Sequence, residues 1–110
     1  MVRQRFGQVG KLKANKVEEY VHLHTQVWPE VLEMIENCNI KNYSIFRAGL
    51  YVFSYYEYTG ENYEKDMKQM EADLATRRWW RHTHPCFDIY AMGCDSKFFH
   101  DMESIFYFRG

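Results

Sequence analysis

The chain has 110 residues, a formal net charge of -1 and 46% hydrophobic residues, which suits one domain over residues 1–110 with a modest core. Apart from the short Arg77-Arg78 and Arg81 cluster there is no block of Lys and Arg, so the charge footprint of a nucleic-acid binder is missing. No stretch approaches the roughly 20 apolar residues of a membrane-spanning helix.

Three cysteines, Cys38, Cys86 and Cys94, are odd in number and form no C-x-x-C pair, against a disulfide framework or zinc ribbon. Free thiols, with no apolar h-region in MVRQRFGQVG, point to a cytoplasmic location. Aromatic residues make up 18% of the chain. That exceeds what a core of this size needs, so some rings are expected to line a pocket or an interface.

Phe6 and Val9, with Gly7 and Gly10, make Val2–Lys11 a glycine-loosened first strand. Val17, Tyr20, Val21, His24, Val27, Trp28, Val31 and Ile35 then recur at helical spacing, with Asn15 as a candidate N-cap. Pro29 disfavours helical geometry at Trp28 yet suits a helix's first turn. Two helical pieces, about 15–27 and 29–37, should therefore meet at a bend.

Asn42–Arg47, the turn Ala48-Gly49 and the aromatic Leu50–Thr59 read as a hairpin closed by Gly60. Tyr63, Met67, Met70 and Leu74 place an amphipathic helix on Glu61–Leu74. A shorter helix should carry Thr76–Arg81, residues 82–100 read as irregular, and Ile105–Phe108 reads as a final apolar strand. The order βαββαβ predicts an α+β, ferredoxin-like sandwich with one open sheet face. Pairing with a second copy would cover that face.

Tyr20 and His24 stand four apart on one helix, which makes their side chains neighbours. An imidazole suits proton transfer near neutral pH, although spacing alone favours a histidine packed into the core. His22 should point away from His24. His82, His84 and Cys86 would share a face if extended, but zinc needs further ligands that the sequence does not place; a polar loop without metal is the expectation. Trp79 and Trp80 differ by about 100° on a helix. One can pack while the other offers a ring to a ligand, and two core tryptophans fit equally well. Tyr43, Tyr55, Tyr56 and Tyr58 cannot be phased to a sheet face from the sequence. No phosphate-cradling loop, dinucleotide fingerprint or nucleophile elbow is present, so chemistry without a cofactor is expected.

Taken together, Glu19-Tyr20-x-x-x-His24-x-x-Val27-Trp28-Pro29-Glu30, Asn42-Tyr43-Ser44-Ile45, Trp79-Trp80 and Ile105-Phe106-Tyr107 resemble the L-rhamnose mutarotase family in order and spacing over nearly the whole chain. The resemblance implies a homodimeric α/β barrel of ferredoxin-like protomers that interconverts the α and β anomers of a 6-deoxyhexose. It also implies His24 as proton donor, and Tyr20, Tyr43, Trp79 and Trp80 as sugar contacts. The stretches Cys38-Asn39-Ile40 and Tyr56-Glu57-Tyr58-Thr59-Gly60 look closer to the related L-fucose mutarotases, and residues 81–99 depart from the rhamnose-type pattern. Two further alternatives share the fold: a monooxygenase, haem-degrading or cofactor-free, and a non-catalytic sugar-binding module.

Overall fold

The alternating strands and amphipathic helices assemble, in the computed structural model, into four strands backed by helices; residues 3–89 and 98–110 are described. In chain order these are β1 (Gln4–Lys11), α1 (Val17–Leu23), α2 (Pro29–Asn37), β2 (Ile40–Ala48), β3 (Tyr51–Tyr58), α3 (Tyr63–Ala72), α4 (Leu74–Thr83) and β4 (His100–Asp101). The sheet order is β2-β3-β1-β4 and every pairing is antiparallel. This is the ferredoxin-like arrangement expected of βαββαβ, with each helical layer split into two pieces.

The first helix is shorter than the periodicity suggests. Asn15 lies inside a 3-10 turn, Ala14–Lys16, and is not an N-cap; α1 stops at Leu23. Side chains end it, because the carbonyls of the last turn have no intrahelical partners. Thr25 Oγ1 donates to the His22 carbonyl at 2.6 Å, and His24 Nδ1 lies 2.8 Å from the Tyr20 carbonyl. Pro29 then opens α2 from an extended Trp28, as its fixed φ and missing N–H dictate. Farther on, Asn62 caps α3 and Asp73 caps α4, accepting from the Lys65 and Thr76 backbone N–H groups.

Strand β3 alternates strictly. Val52, Ser54, Tyr56 and Tyr58 are buried beneath the helices, while Tyr51 and Phe53 lie on the open face. In β2 the alternation breaks. Ser44 pairs with Tyr55 where an unbroken ladder from Lys41–Glu57 would put residue 43. Two residues, Asn42 and Tyr43, therefore stand against Tyr56 alone, which is a β-bulge. Asn42 takes φ +52° there, and its side-chain amide donates to Glu57 Oε1 at 2.8 Å.

Most of the buried apolar side chains fall into two clusters, with Val31 and Trp79 outside both. Leu12, Tyr20, Val52, Cys86 and Phe87 form one; Cys38, Ile40, Tyr56 and Tyr58 form the other. Gly10 lets the chain before β4 lie close on β1, since a Cβ there would sit 2.5 Å from the Phe98 carbonyl oxygen.

The C-terminal expectation is corrected. The last strand is His100–Asp101, and Ile105–Phe108 carries no regular structure and is exposed. The register explains this. Asp101 pairs with Gln8 and His100 with Val9, so continuing it brings Ile105 opposite Gln4, the first residue of β1. Beyond that point β1 offers it no partner.

Candidate active site

A cavity of about 510 Å³ opens between the helices and the buried face of the sheet, drawing its walls from both core clusters. It lies in the range typical of small-molecule sites. Every residue assigned by resemblance lines it: Tyr20, His24, Tyr43, Trp79 and Trp80.

His24 is the C-cap of α1. A carbonyl oxygen can only accept, so the 2.8 Å contact with the Tyr20 carbonyl places the proton on Nδ1. Nε2 of the neutral ring then carries the free lone pair. The imidazole is half-buried. It packs on the Tyr20 ring at a centroid distance of 4.4 Å and meets the edge of Trp79 at 5.5 Å. Trp79 is itself held by Trp28 at 5.3 Å, so the bend at Pro29 fixes the wall behind His24.

The two tryptophans divide as their angular separation suggests. Trp79 is 6% exposed and packs between His24 and Trp28. Trp80 is half-buried, and His84 stacks on it at 5.3 Å.

The bulge decides the position of Tyr43. It restores the inward phase at residues 43 and 45 and turns Tyr43 toward Tyr56, with ring centroids 5.6 Å apart. Part of the Tyr43 side chain remains exposed. Burial of its hydroxyl end still lifts the phenol above its ordinary range; a nearby Ser54 hydroxyl offsets part of that and Tyr63 adds to it. Burial likewise pushes Tyr20 well up, with small additions from Tyr43 and Cys86. It does the same to Tyr56, whose hydroxyl shares a 2.6 Å hydrogen bond with Tyr63. All three therefore stay protonated near neutral pH, as hydrogen-bonding groups and not bases.

The His82/His84/Cys86 segment is neither extended nor a polar loop. His82 ends α4 and meets Trp28 at 5.6 Å. His84 begins a 3-10 turn, its ring sandwiched between Trp80 and Phe98, the latter at 3.8 Å; burial lowers its pKa. Cys86 is fully buried. Among the described residues no three His, Cys, Asp or Glu side chains gather as a metal site; Cys94 lies outside those residues. Sequence reasoning missed Gln8, Glu71 and Thr83 as cavity residues, left Tyr56 unphased and weighed His84 only as a metal ligand. Strand alternation held the signal for Gln8 and Tyr56, but only a known sheet face phases it.

The family model for L-rhamnose mutarotase matches residues 5–108. An L-rhamnose mutarotase of Lactiplantibacillus plantarum is 33% identical over 86 residues, covering 76% of this chain and 80% of that protein. One from Shouchella clausii is 27% identical over 107 residues, covering 94% and 96%. In fold, the chain is similar to the crystal structure of the L-rhamnose mutarotase of Formosa agariphila, with a TM-score of 0.74 at 19% identity, covering 96% and 98% of the two chains. The fucose, monooxygenase and binding-module alternatives are not favoured by these matches. From its match over residues 5–108, the chain belongs to the L-rhamnose mutarotase family.

Proposed function

We propose that the protein interconverts the α and β anomers of L-rhamnose, with His24 as the proton-transferring group. The observation that carries this reading is the His24–Tyr20 carbonyl contact at 2.8 Å. It orients the imidazole and reserves Nε2 for the cavity, as a general acid–base group requires.

The reaction is proton movement around a ring opening. The anomeric hydroxyl gives up its proton, the ring oxygen gains one as the C1–O5 bond breaks, and a carbonyl forms at C1. Rotation about C1–C2 and reclosure from the other face reverse both transfers, so nothing is consumed. Neutral His24 takes the anomeric proton on Nε2 and, in its charged form, donates it to the adjacent ring oxygen; on closure the same two transfers run backwards. The protonated phenols of Tyr20 and Tyr43 hold sugar hydroxyls, and the half-buried Trp80 offers a ring to the apolar face of the sugar. The apolar stretch of wall from Ile40, Ile45, Met67 and Met70 suits a C6 methyl.

The working unit is read as a homodimer. Phe46 is 68% exposed on the open sheet face, beside its ladder partner Phe53, and Ile105, Phe106 and Phe108 are exposed after β4. A second copy of the same face covers such a patch with C2 symmetry. Cys38 and Cys86, both free and buried, support a reducing, cytoplasmic setting.

Saturation-transfer NMR with a panel of L-rhamnose, L-fucose and D-glucose tests the assignment. The protein should accelerate exchange of L-rhamnose most. Preferential acceleration of L-fucose, or acceleration of none, would contradict it.

A further inference from the structure

We infer that Gln8 is a substrate-selecting residue, the acceptor for one hydroxyl of the sugar, and that Asp101 is the positioning residue that orients it. The inference rests on the mutarotase reading and goes beyond the residues assigned above.

Gln8 lies on the buried face of β1, where it lines the cavity from the sheet side. Its ladder partner on β4 is Asp101, and Gln8 Nε2 donates to Asp101 Oδ1 at 2.8 Å. An ionised carboxylate only accepts, so the nitrogen side of the amide must face Asp101. The amide is thus turned one way. Oε1, which has no partner among the described residues, is left to accept from a ligand.

The chemistry of the wall makes that acceptor distinctive. Around Gln8 the sheet side of the cavity is Ile40, Ile45 and the phenols Tyr43 and Tyr56. Tyr56 is already engaged with Tyr63 at 2.6 Å. A neutral carboxamide accepts a hydrogen bond without adding a second charge to a cavity that already carries Glu71 on its helix side. The carboxylate that orients it sits on exposed Asp101, where solvation costs little. A site built to accept from one hydroxyl rejects a sugar that lacks it, because a bound sugar covers the half-buried acceptor and leaves it unpaired.

The test measures anomer exchange for L-rhamnose and its 2-, 3- and 4-deoxy counterparts, with wild type, Gln8→Met, Asp101→Leu and Asp101→Asn. Gln8→Met keeps the length of the side chain and removes the amide acceptor. Wild type should lose about tenfold in kcat/KM on one deoxy sugar. Gln8→Met should lose a similar factor on L-rhamnose, through KM, and lose nothing further on that same deoxy sugar. Asp101→Leu should fall between them, and Asp101→Asn, which still accepts, should restore wild-type discrimination. Asp101 is exposed, so its variants report even if Gln8→Met does not fold. Equal losses on all four sugars, or unchanged discrimination in the Gln8 and Asp101→Leu variants, overturn the inference. A wild type that accelerates none of them overturns the mutarotase reading itself.

Discussion

At the scale of single residues, the proposed mechanism asks the site to keep its tyrosines neutral and to leave one imidazole nitrogen available. Burial raises the phenols of Tyr20, Tyr43 and Tyr56 in the folded protein, while in the unfolded chain they titrate near the ordinary value of about 10. A group whose folded pKa is raised contributes stability that is present below the unfolded value and lost as pH climbs past it. The buried Cys38 and Cys86 thiols are raised in the same way, so urea stability should begin to ease off above about pH 8.5 and fall steeply above about pH 10 as the phenols join. In absorbance titration the cavity tyrosines should ionise only as the fold is lost. Stability unchanged between pH 9 and pH 11 would show that these phenols are solvated.

At the scale of elements, the bulge in β2 decides which side chains meet. An unbroken strand with Ile40 inward would turn residues 42 and 44 inward too, leaving Tyr43 and Ile45 on the open face. The extra residue reverses that, at the cost of a left-handed Asn42. Asparagine tolerates this conformation and β-branched residues do not. Asn42→Val should lower stability by roughly 1–2 kcal/mol and raise the KM for L-rhamnose by displacing Tyr43. Asn42→Gly should keep the bulge and most of the activity. Denaturant unfolding and exchange kinetics on the pair distinguish the two effects.

Much of the element list was legible in the sequence: the helical stripe through Tyr20 and His24, the break at Pro29, the hairpin turn and the amphipathic Tyr63–Leu74 pattern. The phase of β2 was not, because a bulge leaves no mark on composition and Asn42 reads as any polar residue. The end of α1 was hidden for a related reason. It is set by the Thr25 and His24 side chains bonding back to the last turn, not by periodicity. His84 was misjudged because an extended trace was assumed where α4 continues into a 3-10 turn. Gln8 went unnoticed because its partner Asp101 is more than ninety residues away in the chain.

At the scale of the whole molecule, the helix-covered face holds the cavity and the opposite face is left apolar. Face-to-face pairing would place two cavities on the outer sides of one closed sheet assembly. Phe46→Glu puts a charge in the middle of that face and should convert a dimer into a monomer by light scattering, with little change in protomer secondary structure. A variant that remains dimeric would place the interface elsewhere. The C-terminal Ile105–Phe108 was read as a strand from its apolar run. It has the composition of a strand but is paired with none among the described residues, which suits a segment completed by a second copy.

The central claim is that His24, oriented through Nδ1, moves the proton that opens the sugar ring. The most direct measurement is saturation-transfer NMR of α/β exchange in L-rhamnose with wild type and His24→Ala, alongside circular dichroism to confirm that both are folded. The account predicts an exchange rate at least ~10²-fold lower in the variant with an unchanged spectrum. Wild-type exchange in a folded His24→Ala protein would contradict it.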